Sequence, residues 1–202
     1  MIIDRYMPNY QFCERHSVII RANREEVYHV IKLLKPTDTP LIRLLFGIRM
    51  LPTVLAGHLT EARKRFGRIK ENHAPPSLLD NMKRTGFILL EEDPGCEMVV
   101  GVIGQFWKPI LNKPVELDSA AEFLEFDDLT YAKGVMNVIL SEPRKGETLV
   151  LTETRVCVKD PTIGRRFALY WKLIYPGCAL IRRMMLHTIK IHAESGRGKR
   201  NE

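Results

Sequence analysis

The stretch DPTIGRRFALYWKLIYPGCALIRRMMLHTIKIHAE, from Asp160 to Glu194, decides the architecture of this chain. Asp160 suits the N-cap, where a side-chain oxygen accepts an otherwise unpaired backbone amide. Pro161 suits the first helical turn, where a missing amide proton costs nothing. Beyond them Ile163, Phe167, Tyr170, Trp171, Ile174, Cys178, Ile181, Met185 and Ile189 recur at three- and four-residue spacing, which is one face of a single C-terminal helix. That face is aromatic in its first half and aliphatic in its second. Pro176-Gly177 interrupts it. A proline inside a helix costs about 3 kcal/mol, through one lost hydrogen bond and a clash with the carbonyl four residues back. The spacing therefore predicts a kink that keeps both halves on one core.

Working outward, the strands before this helix read as two hairpins. Thr148 to Val158 and Tyr131 to Leu140 flank Glu142-Pro143-Arg144-Lys145-Gly146, and Phe87 to Glu91 and Glu97 to Trp107 flank Asp93-Pro94-Gly95, both turns by composition. Val99, Val100, Val102, Ile103 and Phe106 occupy both parities of their strand, which implies cover on both faces. Ala120 to Leu129, with Phe123, Phe126, Asp127 and Asp128, fits a short strand or a helical turn equally. Nearer the N-terminus, Gln11 to Arg21 reads as a strand, and Asn23 caps a short amphipathic helix from Arg24 to Leu34. Met1 to Tyr10 reads as a loose lead-in. Ser77 fits the cap of a further helix carrying Leu78, Leu79 and Met82, ended by Gly86.

The most apolar stretch, Leu41 to Gly57, is broken by Arg43, Gly47, Arg49 and Pro52, so crossing a bilayer would be costly. It reads as a buried or cleft-lining helix pair, as a mobile apolar cover over a ligand entrance, or as a surface that touches a membrane transiently while ligand passes.

With 202 residues, the chain fits one domain, ordered from about residue 10 to 194 and ending in a basic tail at 195–202. Cys13, Cys96, Cys157 and Cys178 lack zinc-ligand or redox spacing and read as reduced, packed thiols. No basic region followed by an apolar run marks a secretory leader, so a cytoplasmic location is expected. The net charge of +7 is concentrated near the C-terminus, in Arg182, Arg183, Lys190, Arg197, Lys199 and Arg200. No aromatic residues interleave with the tail charges, which argues against nucleic acid as a partner.

The sequence Gly101-Val-Ile-Gly104-Gln-Phe-Trp107-Lys-Pro109, the Asp127 to Lys133 segment with Tyr131-Ala-Lys133, the strand Thr152-Glu-Thr-Arg155-Val, and Tyr170 to Gly177 followed by Leu180-Ile-Arg-Arg183 resemble bacterial members of the polyketide cyclase/dehydrase and lipid-transport superfamily. These are the START-like, helix-grip proteins also called SRPBCC. The resemblance runs from about Tyr10 to Glu194. It implies an α+β, helix-grip fold: a curved antiparallel sheet wrapped around a long C-terminal helix, with additional helices after strand 1. It also implies an apolar cavity between sheet and helix for a hydrophobic small molecule, of lipid or polyketide type. It brings no catalytic residue and no cofactor to this sequence.

Trp107, Tyr131, Trp171 and Tyr175 offer large apolar bodies with one polar atom each, as pocket walls do, and Met136 suits a deformable wall. Glu153 and Arg155 share a face of their strand. Turned inward they could hold the polar end of a ligand; turned outward, the orientation favoured by the cost of desolvating charge, they form a surface pair. Asn137 is open in the same way.

Enzymatic motifs are sparse. Gly101 to Gly104 lies within a strand and is not a phosphate loop, and no histidine pair has metal-ligand spacing. A catalytic role would fall to a buried acid or base such as Glu153, Glu97 or Tyr131. The expectation is a ligand-binding protein, with a cavity enzyme, or an interaction protein whose groove is filled by its own side chains, as the alternatives.

Overall fold

The computed structural model describes residues 1–34, 86–108 and 115–198, with side chains to residue 195. The readings made for Leu41 to Gly57, the helix from Ser77, and the last residues of the basic tail lie outside the described residues. The order is α1 (Ile3–Tyr6), β1 (Phe12–Ile20), α2 (Arg24–Leu33), β2 (Ile88–Asp93), β3 (Glu97–Gly104), α3 (Ala120–Glu125), β4 (Ala132–Arg144), β5 (Glu147–Val158) and α4 (Pro161–Gly198). The strands form an open sheet in the order β1-β5-β4-β3-β2, antiparallel throughout. The chain is therefore an α+β protein: an open five-stranded antiparallel sheet with a long C-terminal helix and shorter helices.

The helices start where their caps dictate. Asn23 Oδ1 accepts the Glu26 amide at 2.9 Å, and Asp160 Oδ1 accepts the Ile163 amide at 2.8 Å. The undecided stretch Ala120 to Leu129 is helical as far as Glu125, because Ser119 and Glu122 make a capping pair: Ser119 Oγ accepts the Glu122 amide at 3.2 Å, while Glu122 accepts the Asp118 amide at 3.0 Å. α4 is a single helix of 38 residues through Pro176, about 57 Å long at 1.5 Å per residue. Lys172 and Pro176 are both exposed, so the carbonyl at Lys172 that loses its partner can turn to water, which explains why proline is tolerated there.

Register assigns every strand residue to a face. One face presents Phe12, Glu14, His16, Val18 and Ile20 of β1 with Val150, Thr152, Thr154, Val156 and Val158 of β5, and α4 packs on it, chiefly over β1, with α2 alongside. Ile20, Val27, Ile31, Val150, Met185, Leu186 and Ile189 form one apolar cluster there. Phe12, Val156, Val158, Phe167, Trp107 and Trp171 form a second. The opposite face carries Val99, Ile103 and Val135 and is covered by α3 and the N-terminal segment through Phe123 and Ile3. β3 is buried along its whole length, as its apolar residues on both parities require.

The N-terminal segment is not a loose lead-in, and the ordered core begins well before residue 10. Ile3 is fully buried and Met7 nearly so. The Ile2 and Ile3 amides donate to Glu97 at 2.7 and 3.3 Å, and the Tyr6 hydroxyl donates to the Leu90 carbonyl at 3.1 Å. These partners lie far along the chain, beyond the reach of local sequence pattern.

Gly101 marks the closest approach on this face. A Cβ there would sit 2.8 Å from Leu90 Cδ1 and 2.8 Å from the Phe123 ring. Gly101→Ala is expected to destabilise the protein by about 1–3 kcal/mol by overpacking, seen as a lower urea midpoint with an unchanged m-value. An unchanged midpoint would mean that the α3–sheet contact relaxes freely.

Candidate functional site

The sequence candidates separate onto the two faces of the sheet. Asn137, Glu153 and Arg155 lie on the face away from α4, and Tyr131 packs with the apolar cluster there, edge-on to Phe126 at 5.5 Å. Met136, Trp107 and Trp171 lie on the α4 side. Tyr175 extends that row from Trp171, with ring centroids 6.2 Å apart, but is itself 41% exposed.

Glu153 and Arg155 are not a surface pair: they are 1% and 3% exposed. Their desolvation is offset by partners from the far end of the chain. Glu153 accepts from Arg155 Nε at 2.7 Å, and from Arg15 Nε at 2.9 Å and Nη2 at 3.0 Å. Arg155 Nη1 reaches Asp4 at 2.8 Å and the Met7 carbonyl at 2.9 Å, and its guanidinium lies over the Tyr10 ring at 4.7 Å. Asn137, fully buried, donates to Glu97 at 2.8 Å and accepts the Glu153 amide at 3.0 Å. Burial would raise the Glu153 pKa, but the hydrogen bonds from Arg15 and Arg155 outweigh it and hold the carboxyl below its ordinary 4.5. This network clasps the N-terminal segment to the sheet and leaves these groups engaged with one another.

The α4 side has a different composition. One row across the strands is Glu14, Thr154, Met136 and Val100; the next is His16, Thr152, Val138 and Met98; a third is Phe12, Val156, Gly134 and Val102. Polar groups thus concentrate under β1 and β5, while β4 and β3 offer aliphatic and thioether groups. Glu14 is 5% exposed and lies 2.6 Å from His16 Nε2. From α4, Arg182 donates to Thr154 Oγ1 at 2.9 Å and to Thr152 Oγ1 at 3.4 Å.

The Arg182 guanidinium is desolvated enough for burial to lower its pKa, against the opposing pull of the Glu14 charge, and yet the residue keeps some accessible surface. Its N–H donors outnumber the two threonine hydroxyls that engage it.

Sequence reasoning passed over Glu14, His16 and Arg182. The signal was present: Glu14 and His16 share strand parity with Phe12, Val18 and Ile20, and Arg182 adjoins Ile181 and lies four residues from Cys178 on the apolar stripe of α4.

No family model and no curated protein matches the chain. Among solved structures, that of TTHA0849 from Thermus thermophilus aligns over 92% of this chain and 99% of its own, at 12% identity and a TM-score of 0.33. Among the described residues, no helix is long and apolar enough to cross a membrane.

Glu153→Gln is expected to cost about 3–5 kcal/mol, because it removes the charge that compensates buried Arg155. Since the folded pKa of Glu153 is depressed, its contribution is complete above the ordinary 4.5 and is lost as pH falls through the lower folded value. Urea unfolding of wild type should therefore weaken on acidification below about pH 4.5. The variant should show a shallower dependence there. Equal slopes for the two proteins would remove Glu153 from the pH response.

Proposed function

We propose that this chain is a helix-grip protein that binds a hydrophobic or amphipathic small molecule, of lipid or polyketide type, between α4 and the sheet. The observation that carries the reading is the polar-to-apolar gradient of the α4-side face, from Glu14, His16, Thr152 and Thr154 to Met136, Val100 and Val102. Such a floor complements a molecule with one polar end, because apolar walls supply burial while a few placed polar groups fix orientation. Arg182 brings N–H donors to the polar end beyond the two that the threonine hydroxyls engage among the described residues. Trp107 and Trp171 belong to the aromatic wall beside it. Asn137, Glu153, Arg155 and Tyr131 belong to the packing of the opposite face and take no part.

A cavity enzyme is the second reading, favoured by one specific contact: the Glu14 carboxylate holds the His16 imidazole in the arrangement of an oriented general base. In that case the co-purifying compound would differ between wild type and His16→Ala, because unconverted substrate would accumulate on the variant.

Native mass spectrometry of the purified chain, followed by organic extraction, is expected to find a stoichiometric apolar or amphipathic compound. Arg182→Met should weaken its retention about tenfold, the loss expected for a charged hydrogen bond to the polar end. A protein that is empty, and that also fails to bind hydrophobic fluorescent probes, would overturn the reading in favour of a groove filled by its own side chains.

A further inference from the structure

α4 has a second apolar face, directed away from the sheet. Leu169, Leu173, Pro176 and Leu180 follow one another at intervals of four, three and four residues, which aligns them on the side opposite Phe167, Cys178 and Met185. Leu169 is 72% exposed, Leu173 81% and Leu180 44%, and Pro176 is exposed as well. A helix packed on a sheet ordinarily turns a polar face outward, and isolated exposed leucines need no explanation, but a ridge of them does.

The charges beside the ridge are all of one sign. Arg165, Lys172 and Arg183 line one flank and Arg166 the other, all exposed. From Pro161 to Ala193 the chain contains no aspartate or glutamate. Some cations elsewhere on the surface are matched to carboxylates: Arg5 with Glu91, Lys32 with Glu92, and Arg144 with Glu147. None of the four cations along the ridge takes part in an ion pair among the described residues.

We propose that this outward face of α4 docks on a bilayer surface that contains anionic lipids. The leucines enter the boundary between headgroups and acyl chains, while Arg165, Arg166, Lys172 and Arg183 reach lipid phosphates on either side. An apolar stripe with cations on its flanks and no acid is the pattern that binds in the plane of such an interface. A second copy of the chain is the poorer occupant, because the same cationic flanks would face one another across a symmetric contact and repel. The surface is independent of the ligand-binding face, which lies on the other side of the helix.

The test is flotation of the full chain with phosphatidylcholine vesicles, with and without phosphatidylglycerol. Wild type should float with the anionic vesicles, remain behind with the neutral ones, and be released by salt. Arg165→Glu with Lys172→Glu should weaken partitioning about 25-fold or more, from a factor of about five for each cation removed. Leu169→Ser with Leu173→Ser should weaken it at least about tenfold. Both double variants should keep the wild-type thermal midpoint and the same co-purifying compound, since neither touches the inner face. Failure of wild type to bind anionic vesicles would overturn the proposal. So would equal binding to neutral vesicles, or wild-type partitioning by either double variant. A wild-type dimer that ignores vesicles and is dissolved by the leucine variant would reassign the ridge to self-association.

Discussion

The carboxylate of Glu153 holds two ends of the chain together. It sits in β5, a strand paired on both sides, and its partners Arg155 and Arg15 bring β1 and the N-terminal segment onto one surface. A buried carboxylate is tolerable only when its lone pairs are filled by donors of opposite charge. Here Arg155 fills them and is itself satisfied by Asp4 and the Met7 carbonyl. The consequence reaches the rest of the fold, because α1 is too short to fold alone and stays in place through these contacts and those of Glu97 with the Ile2 and Ile3 amides.

Because one face of the sheet is closed by this clasp and by α3, the two faces differ in how their polar groups are held. On the clasped face charged groups are consumed by one another. On the α4 face Glu14, His16 and Arg182 are drawn into the interior with fewer mutual contacts among the described residues: Glu14 and His16 hold each other, and Arg182 rests on threonine hydroxyls. Among the described residues, the clasped face thus carries the more highly connected polar network of the two.

α4 joins that inner face to solvent. Its inward stripe packs on the sheet through Phe167, Met185 and Ile189, and its outward stripe carries Leu169, Leu173 and Leu180 between cations. Pro176 lies on the outward side, where its missing amide interrupts no contact with the core. A ligand held on one side of the helix and a lipid surface met on the other would put the transfer of an amphipathic molecule within the reach of a single element.

The sequence by itself determined the local elements, because caps and periodicity are short-range. Asn23 and Asp160 announced their helices, the β-forming residues of β1 announced a strand, and the turns at Glu142 to Gly146 and Asp93-Pro94-Gly95 announced hairpins, the latter with Gly95 at a φ of 77°. It left Ala120 to Leu129 undecided, since so short a stretch gives periodicity too little length to separate a helical turn from a strand. Only the tertiary structure decided which way the charges of β5 point. Strand parity placed Glu153 and Arg155 together, but their burial depends on Arg15 and on the Met7 carbonyl, 138 and 148 residues away along the chain. The cost of burying a charge is set by whether a partner meets it in space, and nothing within a strand's own sequence records that meeting.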